Sequence, residues 1–518
     1  MLQKDNNLKS RLFETFIFSI FFVVAIIYSI GFNDSDAYYF IPVGRDILQN
    51  GFSKTNTLIT TPGLHYPVQN WLWTVMIAGI YDNFKSGGLA IFHFIQIMAM
   101  AGTIFYFFKP NNKTRVFVLF IIIFLFSIFS YMNIRPQIIT FILVTWTMIG
   151  LEKYRESGNW KWLILLPLTM LIEINVHASY WFMHFVFMLP YLVPDITSGK
   201  LSLKDSHIPA KKLKPVIMAM IATLMVTFIN PYGLSNITYV FDSLSSGVLK
   251  KSSISEQGKW IIGDYTPIIF IVFVVVTCFL LHYKKLTTTE IYTFAGCAIL
   301  FILAVKWAPF YTIGVMFVLR IIYNQFIAEA DFGIDKIQLP EWFSIAGITF
   351  VIIFLATFIS KSNLNFNNNN YMNNTEGTIF DGFDEIADYL DENDSNATIF
   401  ASFAYENYFE FRGYKVYYDA RPELYTKEIA GKDIITDTFK IMSGYDVISE
   451  NKINGSKRIV ALNNDDYANL VDNMNVDYYI TNATEPSRYT QYLIDHPDKY
   501  ECVYNGERSS LYKKIKLK

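Results

Sequence analysis

Apolar runs recur from residue 13 to residue 360, and they constrain this chain more than any other feature. They fall at 13–31, 88–108, 116–132, 137–151, 162–175, 177–193, 215–230, 265–282, 288–305, 307–327 and 342–360. A bilayer core is about 30 Å thick and takes roughly 17–25 apolar residues to cross as a helix. Lipid offers no partner to backbone N–H and C=O groups, so such segments must be helical. Segment 68–84, opening with Val68-Gln69-Asn70-Trp71-Leu72-Trp73, is a further candidate, short and with a polar, Trp-rich edge. The runs predict a polytopic α-helical membrane protein with about 11–13 transmembrane helices. No small-residue cleavage site follows the first run, so it reads as a retained helix and not a removed leader.

Composition asks for a second domain. Of 518 residues, 52% are hydrophobic, 17% aromatic and 17% charged, and mean hydropathy is +0.28. That is too apolar for an ordinary soluble enzyme and too charged for a bare membrane bundle. The change comes after residue 360. Residues 1–360 read as the membrane domain, 361–375 as an Asn-rich linker containing the run Asn367–Asn370, and 376–518 as a soluble α/β domain. In that tail, helical patterning at 380–393, 433–443, 465–474 and 486–495 is interleaved with strand patterning. The strands are expected at 398–402, 415–418, 458–462, 476–481, 500–504 and 510–514. Such interleaving predicts a parallel or mixed sheet covered by helices. The tail carries no Gly-rich phosphate loop and no nucleophile elbow. Its one notable polar cluster, Asp419-Ala420-Arg421, reads as a structural ion pair. A net charge of -2 gives no reason to expect nucleic acid as a partner. Cys278, Cys297 and Cys502 suggest neither a disulfide framework nor a metal site.

Loop charges orient the membrane domain, because Lys and Arg collect on the cytoplasmic side. Lys4, Lys9 and Arg11 place the N-terminus inside and residues 32–70 outside. If segment 68–84 lies along the interface, every later basic loop falls on the cytoplasmic face: Lys109 to Arg115, Lys153 to Lys161, Lys200 to Lys214, and Lys284-Lys285. If it crosses, all of them invert. The first arrangement gives about eleven crossings and puts the tail domain outside the cell membrane.

The same arrangement collects polar residues at helix ends on the outer face. Asp34 and Asp36 follow the first run, ahead of Tyr38-Tyr39-Phe40. Arg135 precedes Pro136, His177 follows Glu173-Ile174-Asn175-Val176, Asn230 opens Asn230-Pro231-Tyr232-Gly233, and Glu256 precedes Trp260. Lys306 adjoins Trp307. Each has a structural reading: headgroup contact for Arg135 and Lys306, packing for His177, a helix stop at Pro231 and Gly233. Ionisable groups at membrane depth are costly, and several converging on one face point to a site.

These words resemble a known group. Asp34-x-Asp36-x-Tyr38-Tyr39, Gly44-Arg45-x-Ile47, Gly51 and Tyr66-x-x-Gln69-Asn70-Trp71-Leu72 are similar to the start of bacterial GT-C-type membrane glycosyltransferases. These are relatives of the protein mannosyltransferases and aminoarabinose transferases, and the chain looks like an uncharacterised subset of them. Arg135-Pro136-Gln137, Asn175-x-His177, Asn230-Pro231-Tyr232-Gly233, Glu256-(x)3-Trp260 and Asp419-x-Arg421 resemble that subset too. The resemblance implies a GT-C-like fold and inverting transfer of a sugar from a polyprenyl-phosphate carrier to a lipid, glycan or protein acceptor. It also implies an acid in the first external loop, matched here by Asp36 or Asp34. The chain departs from better-known members in its short second segment and in two acids spaced by one residue instead of an adjacent pair.

The chemistry fits residues of these kinds. Attack of a hydroxyl on an anomeric carbon needs a base, and a carboxylate beside apolar aromatics holds a proton more readily than one in water. Asp36 is expected to be the base, with Asp34 as the alternative base or the ligand of a divalent metal. Arg135, His177 and Lys306 are the external cations able to hold the departing phosphate, Arg135 first because its guanidinium is bidentate. Tyr38, Tyr39, Trp71 and Trp73 are placed to stack on sugar faces or to sit at headgroup level, the latter favoured for each Trp taken alone, with Glu256 and Asn230 at the same surface. Two other readings compete. An O-antigen ligase or polymerase would act through the loop 231–264 and Glu256, and a transporter or flippase would carry its charges near mid-helix.

Overall fold

The computed structural model of the chain describes residues 2–30, 35–52, 57–60, 67–111, 114–129, 132–193, 207–245, 272–278, 280, 286–303, 305–328, 341–361, 380–402, 405–419, 421–450, 457–482 and 487–515. The helices named up to residue 361 are α1 (Leu2–Ile30), α2 (Ser35–Asn50), α3 (Trp71–Phe108), α4 (Arg115–Phe129), α5 (Gln137–Ser157) and α6 (Leu165–Val176). They continue with α7 (Trp181–Met188), α8 (Leu213–Val226), α9 (Leu234–Ser245), α10 (Thr288–Leu303), α11 (Ala308–Ile322) and α12 (Glu341–Lys361). The chain forms two compact units. One holds residues 1–32, 89–237 and 253–364; the other holds 33–88, 238–252 and 365–518.

The first unit is a helical bundle. α1 packs on α12 and α4, α5 on α6 and α7, α6 on α8, and α11 on α10 and α4. Arg11–Ile30, Trp71–Phe108 and Ala308–Ile327 are long and apolar enough to cross a membrane, with hydropathies of 2.2, 1.7 and 1.4. α4, α8 and α12 turn large apolar side chains outward, among them Phe120, Ile221, Met225 and Phe350. Water would penalise such a surface and lipid would not. This is a mostly helical membrane protein. α3 is continuous in name only. Lys85 has φ 52 and ψ -152, which breaks the helix between Trp71–Phe84 and Ser86–Phe108, where the sequence divides segment 68–84 from 88–108. The first piece rises about 21 Å, less than a bilayer core.

The second unit is built on a sheet. Its further elements are α13 (Phe383–Asn393), β1 (Thr398–Phe400), α14 (Glu406–Arg412), β2 (Lys415–Val416), α15 (Ile434–Ser443), β3 (Tyr445–Glu450) and β4 (Lys457–Ala461). Then come α16 (Asn464–Asp472), β5 (Tyr478–Asn482), α17 (Arg488–Asp495), β6 (Tyr500–Asn505) and β7 (Ser509–Lys514). Five strands run in the order β2-β1-β5-β7-β6. β1 pairs parallel with β2 and β5, in register Ile399 with Val416 and with Tyr478, while β7 runs antiparallel to β5 and β6. β3 and β4 form a separate antiparallel pair. The expected mixed sheet is present, and α14, β3 and the short helical turns Pro422–Tyr425 and Lys427–Ala430 are elements the sequence does not predict. Phe400, Tyr479 and Tyr489 pack edge-on or tilted at the sheet centre, all of them buried.

Residues 33–88 belong to this unit. α2 falls in the stretch 32–70 that loop charges place outside, where the sequence names no helix. Pro42 removes one donor from the ladder, yet the helix continues. Gly44 is there for contact: a Cβ at that position would lie 2.1 Å from the Thr74 carbonyl oxygen, so α2 and the first piece of α3 cross backbone to backbone. α14 packs along α2. Ile59 forms a parallel bridge to Val416, with Thr60 N donating to Val416 O at 2.8 Å and Val416 N to Leu58 O at 3.2 Å. The exposed edge of β2 is thereby covered by the chain's own early loop.

Candidate functional site

Asp36 lies in the first turn of α2 and is half-buried. A helix N-terminus favours negative charge there. One turn on, Tyr39 is fully buried, its hydroxyl 3.4 Å from Asn70 Oδ1. The Arg421 guanidinium sits over the Tyr39 ring, 5.1 Å from its centroid. Burial pushes the Tyr39 hydroxyl well above its ordinary pKa; Arg421 pulls it down, and the charges of Asp419 and Asp36 push it up. One tyrosine thus feels Asp36, Asp419 and Arg421 together, two of them contributed by the tail.

Asp419 and Arg421 form the expected ion pair. Arg421 Nε donates to Asp419 Oδ1 at 2.8 Å, a second nitrogen donates to Oδ2, and Arg421 N donates to Oδ1 at 3.0 Å. Asp419 N donates in turn to the Tyr425 hydroxyl oxygen at 3.0 Å. Two buried carboxyls from α14 stand nearby. Glu406 accepts from Ala401 N at 2.9 Å and from Tyr418 N at 2.7 Å. Neither carboxylate oxygen of Glu410 has a hydrogen-bond partner among the described residues. Burial and the Asp419 charge hold the Glu410 proton well above the usual carboxylate range, Asp46 adds to this and Arg421 opposes it.

The other expected residues fall in several places. Tyr38 is 5% exposed, its ring edge-on to Phe380 and Phe411 at 4.7 and 5.4 Å, the packing of a core aromatic. Trp71 is half-buried, edge-on to Phe52 at 5.1 Å. Asn230 caps a turn: its Nδ2 donates to Thr227 O and Gly233 O, and its Oδ1 accepts from Tyr232 N. Arg135 is half-buried in the turn before α5. Lys306 is half-buried with Nζ 5.6 Å from the Trp307 ring centroid. Asp34 and Glu256 lie outside the described residues, and with Asp34 lies the expected metal ligand. Among the described residues no group of three His, Cys, Asp or Glu side chains is placed to hold a metal. Asp36 belongs to the sheet-containing unit; Arg135, His177, Asn230 and Lys306 belong to the helical one.

His177 anchors a polar seam inside the bundle. Thr140 Oγ1, in the first turn of α5, donates to Glu173 Oε1 at 2.7 Å and lies 2.8 Å from His177 Nδ1. A hydroxyl has one proton, and this one goes to Glu173. The Nδ1 contact is therefore an N–H donating to Thr140, which leaves Nε2 with the lone pair. Two turns deeper the pattern repeats: Thr147 Oγ1 lies 2.9 Å from His184 Nδ1 and 2.8 Å from Thr169 Oγ1. His184 Nε2 and Glu173 Oε2 face each other at 4.0 Å, both fully buried. Thr140 and Thr147 are seven apart on α5, and Thr169, Glu173 and His177 are four apart along α6 and its cap, while His184 stands on the next helix, α7. On α5 and α6 those are the spacings of one helix face. The sequence reading named His177 alone; the spacing of Thr140, Thr147, Thr169 and Glu173 was the available signal.

No protein-family model matches the chain, and no curated protein matches it. Among solved structures it is similar to an oligosaccharyltransferase from Archaeoglobus fulgidus in two crystal forms. To the apo form it is 10% identical with a TM-score of 0.44, over 89% of this chain and 69% of that one. To the form tethered to an acceptor peptide containing the NVT sequon it is 10% identical with a TM-score of 0.47, over 96% and 74%. A likeness of that degree carries no argument about activity, which must rest on the residues.

Proposed function

We propose that this protein transfers a sugar from a polyprenyl-phosphate donor to a hydroxyl-bearing acceptor at the outer face of the membrane. The observation that carries the reading is Asp36. It is a half-buried carboxylate at the head of α2, following an apolar helix of membrane-crossing length and sharing an electrostatic neighbourhood with the Arg421–Asp419 pair. In the proposed reaction Asp36 takes the acceptor's hydroxyl proton as the oxygen attacks the anomeric carbon. The bond from that carbon to the phosphate oxygen breaks, and the phosphate leaves with the electron pair, inverting the centre. Arg135, His177 and Lys306 are assigned to the phosphate.

Asp36→Asn keeps shape and hydrogen bonding while removing the base. It should lower transfer of a labelled sugar from polyprenyl phosphate in proteoliposomes by at least about a hundredfold, with donor binding unchanged. Activity retained in Asp36→Asn and lost in Asp34→Asn would move the base to Asp34. Retention in both, with loss in Glu256→Gln, would move the chemistry to the loop 231–264. The orientation proposed here, N-terminus cytoplasmic and tail domain outside, predicts that a cysteine at position 113 is labelled only from the cytoplasmic side.

A further inference from the structure

A cavity of about 260 Å³ opens in the α/β unit, and none of the residues assigned to transfer lines it. Its position follows from topology. From β1 the chain crosses to β2 on one side, and the next parallel neighbour, β5, lies on the other. The strand order therefore switches direction between β1 and β5. In open parallel sheets a crevice forms outside the carboxyl ends of the strands at such a switch, and ligands bind there. The lining comes from those ends: Ser402 just after β1, Tyr418 just after β2, and Thr481 and Asn482 at the end of β5.

The walls state what they would accept. Among the described residues, no Asp, Glu, Lys, Arg or His lines the cavity. A charged ligand would lose its water there and gain no counter-charge from these residues, which disfavours it. Aromatic rings, Tyr489 among them, offer flat apolar faces. The hydroxyls are partly committed. Thr438 donates its proton to Ile434 O at 3.0 Å and Tyr489 to Ile480 O at 3.4 Å, so both oxygens keep lone pairs for an incoming donor. Ser487 accepts from Thr490 N at 3.2 Å and meets Thr490 Oγ1 at 3.1 Å, so one proton of that hydroxyl pair is left to give. A ligand that suits this wall donates and accepts through neutral hydroxyls and presents C–H faces to aromatic rings.

We infer that the cavity is a binding site for one neutral sugar ring, a hexose or N-acetylhexosamine, held apart from the transfer reaction. The inference does not rest on that reaction, and the test separates them. Full-length protein in nanodiscs would be titrated with glucose, galactose, mannose and N-acetylglucosamine, with saturation-transfer NMR as the readout. Ser402→Phe fills the cavity from a half-buried loop position; Thr438→Val removes a hydroxyl at nearly constant shape. At least one sugar should give saturation transfer to ring C–H protons. Ser402→Phe should abolish it, and Thr438→Val should weaken binding about tenfold, both with wild-type melting temperatures. Asp36→Asn should leave it intact. No transfer to any of the sugars, or transfer indifferent to both cavity variants, overturns the inference. So does loss with Asp36→Asn, which would place the binding in the reaction site. If a charged sugar phosphate competes more tightly than the neutral sugars, the assignment of class fails.

Discussion

Glu173 in the helical unit and Glu406 in the sheet unit are both buried carboxyls, and they are satisfied in opposite ways. Glu406 is held by two backbone N–H groups, from Ala401 and Tyr418. Both lie at the ends of strands, where the ladder stops and donors are left over. Glu173 lies in the last turn of α6, where each backbone N–H is already used by the turn below. Among the described residues it is met only by side chains, Thr140 at 2.7 Å and His184 at 4.0 Å. A sheet edge supplies donors without regard to sequence; a bundle must place them residue by residue. That is why the bundle's seam carries threonines and histidines at helical spacing, and why its chemistry is more exposed to mutation.

Removing the backbone-bound carboxyl should have the largest effect. Glu406→Ala leaves two buried N–H groups unpaired and should cost about 2–5 kcal/mol, read as a drop in melting temperature. Glu406→Gln keeps one acceptor oxygen and should lose about half of that. Thr140→Val should cost about 1–3 kcal/mol. It should also release His177 from the single tautomer, visible in the nitrogen chemical shifts of labelled histidine, and Thr140→Ser should restore both. If Thr140→Val is silent in stability and tautomer alike, the contrast between the units collapses.

Glu410 sharpens the comparison, since among the described residues it has neither kind of partner. Unfolded, it titrates near about pH 4.3. Folded, burial with the charges of Asp419 and Asp46 holds its proton to higher pH, against the pull of Arg421. The folded state binds more protons in that window, so this contribution is complete below about pH 4.3 and is lost as pH rises through the raised value. Glu410→Gln should flatten that slope and melt at or above the wild-type temperature at neutral pH. The smallest effect is expected at Lys85, whose φ of 52 with ψ -152 lies where glycine alone is unstrained. Lys85→Ala should stay within about 0.5 kcal/mol of wild type, Lys85→Gly should relieve the strain, and Lys85→Val should cost about 1–2 kcal/mol.

The α/β tail was legible almost element by element, because strands and helices of different period alternate there and turn residues separate them. α14 was not: Glu406–Arg412 is short and buried on nearly every side, so no amphipathic period marks it. α2 was hidden by Pro42 and Gly44, and only the Thr74 crossing explains why a glycine belongs in that helix. The acid at Asp36 could be seen from its place after the first apolar run. Its neighbours Asp419 and Arg421 could be seen as a pair, but nothing local joins two words so distant in the chain. Tyr38 and Tyr39 read as a stacking platform; burial makes both of them packing residues.

The bridge from Ile59 to Val416 has a consequence in time. A ribosome adds about 5–20 residues per second, so Ile59 is made on the order of tens of seconds before its partner strand exists. For that interval α2 has no α14 to cover it, and Tyr38, Tyr39 and Phe40 wait with their apolar faces open. The sheet edge that protects the finished protein is the last thing its first loop receives. A nascent chain arrested before residue 400 should therefore be the form most readily captured by chaperones, and release of the tail should end the capture.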